Sequence, residues 1–305
     1  MNFKKIATSL LAGLLAVTCL LPLASCGSSD SSGTNDPAQT TNDNSDDVVA
    51  TAGEVKVKIL KMGRALAAVI RTETATIVID TGDDEHATDV STYLSEKGIT
   101  TVDALILTNY SKKCIGGVPQ LLKSGITVKA VYGGTYAKDS NTYTLFSNAM
   151  ASYKLSTTTV GEQQTLTFGD LSLTLYPPTK NYSTLDDEND EGNSIAVVAT
   201  FKNNSMLFSS RIAGDRMSEL TGQLSGVDVD CLVVPNFGAY DDNLAGLLSA
   251  VKAEYAVIVA STNNPPADLT MTALTTAGIT AENTFVTRDG SVEISADGTT
   301  FSIKQ

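Results

Sequence analysis

The chemistry open to this 305-residue chain is bounded first by what it lacks. It has one histidine, His86, and four cysteines, Cys19, Cys26, Cys114 and Cys231. A metal centre built on several imidazoles is therefore excluded. His86 falls in a loop entering a helix, where exposure to solvent is the expectation. The densest carboxylate cluster, Asp186-Asp187-Glu188-Asn189-Asp190-Glu191-Gly192, lacks the alternating ligand spacing of a calcium loop. It reads as a solvated surface loop, with a weak calcium site as the alternative. No phosphate-cradling glycine loop, serine-hydrolase elbow or kinase motif is present. Lys and Arg total 21 against 34 Asp and Glu, a formal net charge of −13. A field of that sign repels nucleic acid and anionic lipid, so general nucleic-acid binding is not expected. A local basic pocket stays open.

The elements that would position any site are legible from apolar patterning. Hydrophobic residues make up 42% of the chain, which excludes a wholly disordered protein. Short β-rich runs cover 54–60, 66–71 and 76–79, separated by turns such as Met62-Gly63-Arg64. A helix over 84–97 is closed by Gly98, and 102–107 reads as a buried strand. A short helix over 116–123 stops at Gly125, and strand 128–132 ends at Gly133-Gly134. Residues 141–153 look helical; 155–159, 164–168 and 171–176 return to strand. A hairpin over 195–201 and 206–209 turns at Lys202-Asn203-Asn204. Helices near 215–220, 243–251 and 269–277 alternate with strands 231–234 and 255–259. Three short strands, 284–287, 292–295 and 300–303, finish the pattern, with turns at Asp289-Gly290 and Asp297-Gly298. The fold class is α/β, with two sheets flanked by helices.

Residues 1–25 read as an export signal: Lys4 and Lys5 lead an apolar stretch over 6–23. The ending Leu23-Ala24-Ser25-Cys26 resembles a bacterial lipoprotein signal, which implies lipidation of Cys26 and a membrane partner through that lipid. The expected location is the outer face of a bacterial membrane. Residues 26–50 are rich in Ser, Gly, Thr, Asn and Asp and form an expected flexible tether. Its root-mean-square reach is roughly 25–30 Å. Residues 51–305 form the expected single domain.

Ile77-Val78-Ile79-Asp80-Thr81-Gly82 resembles the opening motif of the metallo-β-lactamase superfamily. Thr108 then precedes Asn109-Tyr110-Ser111-Lys112-Lys113-Cys114-Ile115-Gly116-Gly117, where that superfamily usually has His-x-His-x-Asp-His and x-Gly-Gly. Later landmarks resemble in particular the hydrolase domain of the bacterial DNA-uptake channel. Asn193-Ser194-Ile195-Ala196-Val197 and Met206-Leu207-Phe208 match its hairpin, and Arg211 aligns with its bridging aspartate. Pro235-Asn236-Phe237-Gly238 aligns with its His-His-Gly turn. The resemblance implies an αββα sandwich and a zinc site at Asp80, Asn109, Ser111, Lys113, Cys114, Arg211 and Asn236. It also implies that Cys114 sits at the pocket mouth and Cys231 roughly 16 Å along an extended strand from it. A disulfide needs Cα atoms within about 7 Å, so two separate thiols are expected.

At those positions the side chains depart from the family. Asn and Ser are poor zinc ligands, leaving Asp80 and Cys114 as strong donors where three or four are needed. Lys113 and Arg211 put cations in place of carboxylates. A divalent ion 4 Å from either meets a repulsion of about 8 kcal/mol at an effective dielectric of about 20. No zinc and no catalytic residue are expected. Lys113 or Arg211 either pairs with Asp80 and fills the pocket, or binds an anionic group such as a phosphate, carboxylate or glycan acid. A third reading makes Cys114 a nucleophile with a pKa lowered by Lys113. Three functions follow. The first is a non-catalytic domain binding a ligand or surface protein. The second is an atypical hydrolase of phosphodiester or lactam/ester substrates, with one metal on Asp80 and Cys114. The third is an inert member of a surface assembly.

Overall fold

The computed structural model describes residues 52–182 and 192–305. The segments read as an export signal and a tether, with Cys26, and the acidic run 186–191 lie outside the described residues. Three antiparallel strands come first: β1 (Val55–Ile59), β2 (Ala68–Arg71) and β3 (Thr76–Ile79). There follow α1 (Asp89–Glu96), β4 (Thr101–Val102) and β5 (Ala104–Leu107). Next come α2 (Lys112–Ile115), α3 (Val118–Lys123), β6 (Thr127–Val128) and β7 (Val131–Gly134). Helix α4 (Asn141–Ser152) starts on Ser140, whose hydroxyl accepts from the Tyr143 N–H, a side-chain N-cap. It leads to β8 (Thr157–Val160).

The second half opens on an antiparallel meander of β9 (Gln164–Phe168), β10 (Leu171–Tyr176), β11 (Ala196–Phe201) and β12 (Asn204–Phe208). Helices and strands then alternate: α5 (Asp215–Gln223), β13 (Cys231–Val233), α6 (Leu244–Val251), β14 (Tyr255–Ile258), α7 (Asp268–Thr276) and β15 (Thr284–Val286). A final hairpin, β16 (Val292–Ala296) and β17 (Phe301–Lys304), returns to pair with β1.

These strands form an eight-stranded sheet, β17-β16-β1-β2-β3-β5-β7-β8, and a seven-stranded sheet, β15-β14-β13-β12-β11-β10-β9. Their side-chain alternation decides which face meets which layer. In β1, Val55, Val57 and Ile59 enter the core between the sheets while Lys56 and Lys58 face outward. In β5 every residue is buried, with Ala104 and Ile106 between the sheets and Leu105 and Leu107 under the helices. That is the pattern of a parallel strand covered on both faces. Val90, Leu94, Ile115, Leu121 and Phe146 of α1–α4 cover the first sheet. Met217, Leu220, Leu247, Val251 and Leu274 of α5–α7 cover the second. The architecture is the expected αββα sandwich. Truncating Ile106 or Phe208, both 0% exposed between the layers, would cost about 2–5 kcal/mol. Among the described residues no helix is long and apolar enough to cross a membrane.

Two local departures from the sequence reading matter for the site. Helix α1 starts at Asp89 rather than Asp84, because the Asp83 carboxylate accepts the His86 N–H and holds the intervening residues in a turn. The helix expected over 116–123 starts at Val118 instead, as α3, and a separate short helix, α2, precedes Gly116-Gly117. The glycine pair is imposed by backbone approach. A Cβ on Gly116 would lie 2.6 Å from the Asp83 and Asp84 backbone, and one on Gly117 would lie 2.3 Å from the Thr81 carbonyl oxygen.

Candidate functional site

Strands β3, β5, β12, β13 and β14 end on one constellation. Within each sheet, successive members of this group run parallel, so their carboxyl ends share an edge of the sandwich. Ligands of α/β sheets characteristically bind outside such strand ends. Asp80 follows β3, Thr108 follows β5, Ser210 follows β12, and the turn Pro235–Gly238 follows β13. Four non-glycine residues here adopt left-handed backbone: Asp80 (φ 56°), Ser210 (φ 52°), Asn236 (φ 47°) and Phe237 (φ 57°). Strain of this kind persists only where the surroundings over-determine it, and it clusters at functional sites.

Asp80 is fully buried. Its Oδ1 accepts the Thr108 N–H at 2.8 Å and its Oδ2 bonds the Thr108 hydroxyl. That hydroxyl also lies 2.6 Å from Ser210 Oγ. A hydroxyl has one proton to give, so with Asp80 ionised Thr108 donates to it and Ser210 donates to Thr108. Burial pushes the Asp80 carboxyl from 3.8 up to about 7, against lowering hydrogen bonds from the Thr108 side chain, the Thr108 backbone and Cys114. The chain continues to Cys114 Sγ, 4.0 Å from Thr108 Oγ1 and 3.7 Å from Ser111 Oγ. The Ser111 N–H donates to Asn109 Oδ1 at 2.7 Å, and Asn109 Nδ2 donates to Ser194 Oγ at 3.2 Å. The Asn236 N–H reaches the Ser210 carbonyl at 2.9 Å.

Asp80, Asn109, Ser111, Cys114 and Asn236 are thus joined, but four expectations need correction. Cys114 is not at a pocket mouth: it is 0% exposed and packs in the core under α2–α4. Burial raises its thiol pKa well above the ordinary range, Asp80 adds to this, and the charge of Arg211 only partly opposes it. A lowered pKa and a nucleophilic role are contradicted. Lys113 does not pair with Asp80. Its Nζ reaches Asp83 Oδ2 at 2.8 Å, while His86 Nδ1 holds Asp83 Oδ1 at 2.8 Å. Burial pushes Asp83 up, but hydrogen bonds from Lys113 and His86 outweigh it and hold the carboxyl below its usual value. His86 is accordingly half-buried and engaged, rather than an exposed side chain. Arg211 does not bond Asp80 either; its guanidinium carbon sits 5.9 Å from the centroid of the Phe237 ring. Both surviving cysteines are free thiols, as expected.

Sequence reading passed over Thr108, Ser210, Asp83, Arg64 and Phe237. Arg64, in the turn between β1 and β2, stands 5.3 Å from the Phe237 centroid. The signal that could have marked Thr108 and Ser210 is their position one residue from Asn109 and Arg211.

The donor set does not fit a dizinc centre. Among the described residues no group of three or more His, Cys, Asp or Glu side chains can hold an ion. Asp80 accepts two hydrogen bonds from Thr108, burial keeps Cys114 as a thiol, and the Asn109 side chain accepts from the Ser111 N–H and donates to Ser194.

No protein-family model and no curated protein sequence matches the chain. Solved structures do. The metallo-β-lactamase fold protein YhfI from Bacillus subtilis is similar at a TM-score of 0.51 and 13% identity, over 82% of this chain and 100% of that one. A new diphosphatase from the PhnP family is similar at a TM-score of 0.47 and 14% identity, over 77% of this chain and 96% of that one. At such identities the likeness concerns fold alone. The chain has the metallo-β-lactamase fold.

Proposed function

We propose that this is an exported, lipid-anchored domain in which the metallo-β-lactamase fold has lost its metal chemistry and serves to bind a ligand or partner. The carrying observation is the hydrogen-bonded plug of Asp80, Thr108 and Ser210 at the strand ends, fully or nearly fully buried and backed by a protonated Cys114. A water nucleophile needs a metal or general base beside an open position. Here the one carboxylate is occupied by hydroxyl and amide donors, and the second carboxylate, Asp83, is bound by Lys113 and His86. Lipid on Cys26 would hold the domain on the outer face of a bacterial membrane. The closeness to the DNA-uptake channel hydrolase rests on motif order, and the net charge of −13 argues against transferring its nucleic-acid substrate.

The test is metal per chain in the protein from residue 52 onward, purified without a metal-binding tag and incubated with zinc, iron and manganese. Near-zero occupancy and no phosphodiesterase or lactamase turnover are expected. Stoichiometric metal would overturn the reading.

A further inference from the structure

The helices over the second sheet leave an apolar groove open on a surface of one charge sign. Helices α6 and α7 follow successive parallel strands and pack side by side, and along their outer faces runs a groove of about 710 Å³. Ala245, Ser249 and Ala253 line it from one side, and Leu269, Ala273 and Ala277 from the other, each set at spacings of four. Small side chains at that spacing leave a channel between ridges that a third helix can enter. Two large side chains of the lining stand open: Tyr240 is 46% exposed and Leu269 is 58% exposed. A single exposed apolar side chain means little, but two of them on one apolar groove mark a contact surface.

Charge decides what fits there. From 217 to 287 the one Lys or Arg is Lys252, against eight Asp and Glu. Lys252 is itself bound to Asp228 at 3.0 Å. Asp242 and Asp268, both exposed, stand at the starts of α6 and α7, close in sequence to Tyr240 and Leu269. Such a field repels a second copy of this acidic chain, and it repels anionic lipid. It also repels residues 27–51, which hold five Asp and no Lys or Arg. A cationic segment is drawn in.

We infer that the α6–α7 groove is a docking site for a basic amphipathic helix of a partner protein. The apolar face of that helix lies in the groove with anchors at i, i+4 and i+7, and its flanking Lys or Arg residues face Asp242 and Asp268. Helices α6 and α7, of eight and nine residues, are roughly 12–14 Å long, so the groove takes about two turns of the partner. The inference goes beyond the role proposed for the strand ends, and it stands whether or not that site holds a metal.

The experiment is a fluorescence anisotropy titration of the protein from Gly27 onward against two labelled, helix-stapled peptides. They share one leucine face and carry Lys in one case and Glu in the other at the remaining positions. Each titration is repeated on Leu269→Ser and on Leu145→Ser, an exposed leucine of α4 over the other sheet, with thermal midpoints recorded alongside. Saturable binding of the Lys peptide is expected, weakened tenfold or more by Leu269→Ser and unchanged by Leu145→Ser, with no saturation by the Glu peptide. No saturation by the Lys peptide up to about 1 mM, equal binding of both peptides, or equal loss in the two variants overturns the inference. Three further results overturn it by naming another occupant. Dimerisation in sedimentation that Leu269→Ser abolishes assigns the groove to a second copy. Binding to phosphatidylglycerol vesicles that Leu269→Ser abolishes assigns it to lipid. Tenfold tighter peptide binding once residues 27–51 are removed assigns it to that segment.

Discussion

Replacing Asp80 with Asn is the perturbation that most directly probes the plug. The wild-type carboxyl is raised from 3.8 to about 7 by burial. Between roughly pH 4 and pH 7 the folded protein therefore holds a proton that the unfolded chain has released. Stability must fall as pH rises through that window and level off above it. A shift of about three pKa units corresponds to about 4 kcal/mol. Asp80→Asn removes the ionisation and keeps the shape. Its carbonyl can still accept the Thr108 N–H, and its NH2 can donate to the Thr108 hydroxyl, which then turns its proton to Ser210. Asn also tolerates the φ of 56° at this position. The variant is expected to match wild type near pH 4 and to exceed it by up to about 4 kcal/mol at pH 8. Urea unfolding of both proteins at pH 4, 6 and 8 measures this, and the difference between them cancels every other titrating group. A variant less stable than wild type at pH 8, or one offset by the same amount at every pH, would refute the reasoning. The first result would mean that Asp80 is stabilised as a carboxylate, as a metal ligand is.

Asp83, three residues on, has the opposite sign. Its carboxyl is held low, so the stability it contributes is present above its unfolded value near 4 and lost on acidification; Lys113→Met should flatten that acid limb and cost about 1 kcal/mol at pH 7 by urea unfolding. Arg216 is fully buried, donating to the Tyr176 carbonyl at 2.7 Å and Gln223 Oε1 at 2.9 Å and lying 3.3 Å from Glu219. Arg216→Met should cost about 3–5 kcal/mol in the same assay, since it strands a partly buried carboxylate. Gly117→Ala should lower the thermal midpoint by several degrees, because its methyl group meets the Thr81 carbonyl, whereas Gly222→Ala, where nothing lies within 4 Å, should leave it unchanged or slightly raised. Cys114 and Cys231 should resist a maleimide in the folded state and react with two equivalents in urea, with the same melting temperature with or without reductant.

Most of the sandwich could be read from the sequence because its signals are local. Alternation in β1, the unbroken apolar run of β5, and the glycines after α1 and α3 each act over a few residues. The helix boundary at Asp89 could not, because it depends on a carboxylate three residues from His86 capturing its N–H in place of a helical bond. The site divides the same way. Its location at Asp80, Asn109, Ser111, Cys114 and Asn236 follows from motif order, but the partners do not. Thr108 and Ser210 lie 102 residues apart, and nothing in either segment announces that their hydroxyls meet. The expectation that a cation would seek Asp80 ignored a nearer competitor, Asp83, which the turn brings to Lys113. Arg64 escaped notice because its partner ring stands in a turn from the other half of the chain.

The pairing of β1 with β16 has a bearing on time rather than strength. Val55 lies opposite Ala296, so the eight-stranded sheet is completed only when the last segments of the chain arrive beside the first. Loop-closure entropy grows slowly, about 0.6 kcal/mol for each doubling of length, so the finished protein loses little by this arrangement. The search for it is another matter, because contacts between distant segments slow folding. A chain synthesised from its amino end would keep β1 waiting, its unfilled edge exposed, until the carboxyl-terminal hairpin had also been made.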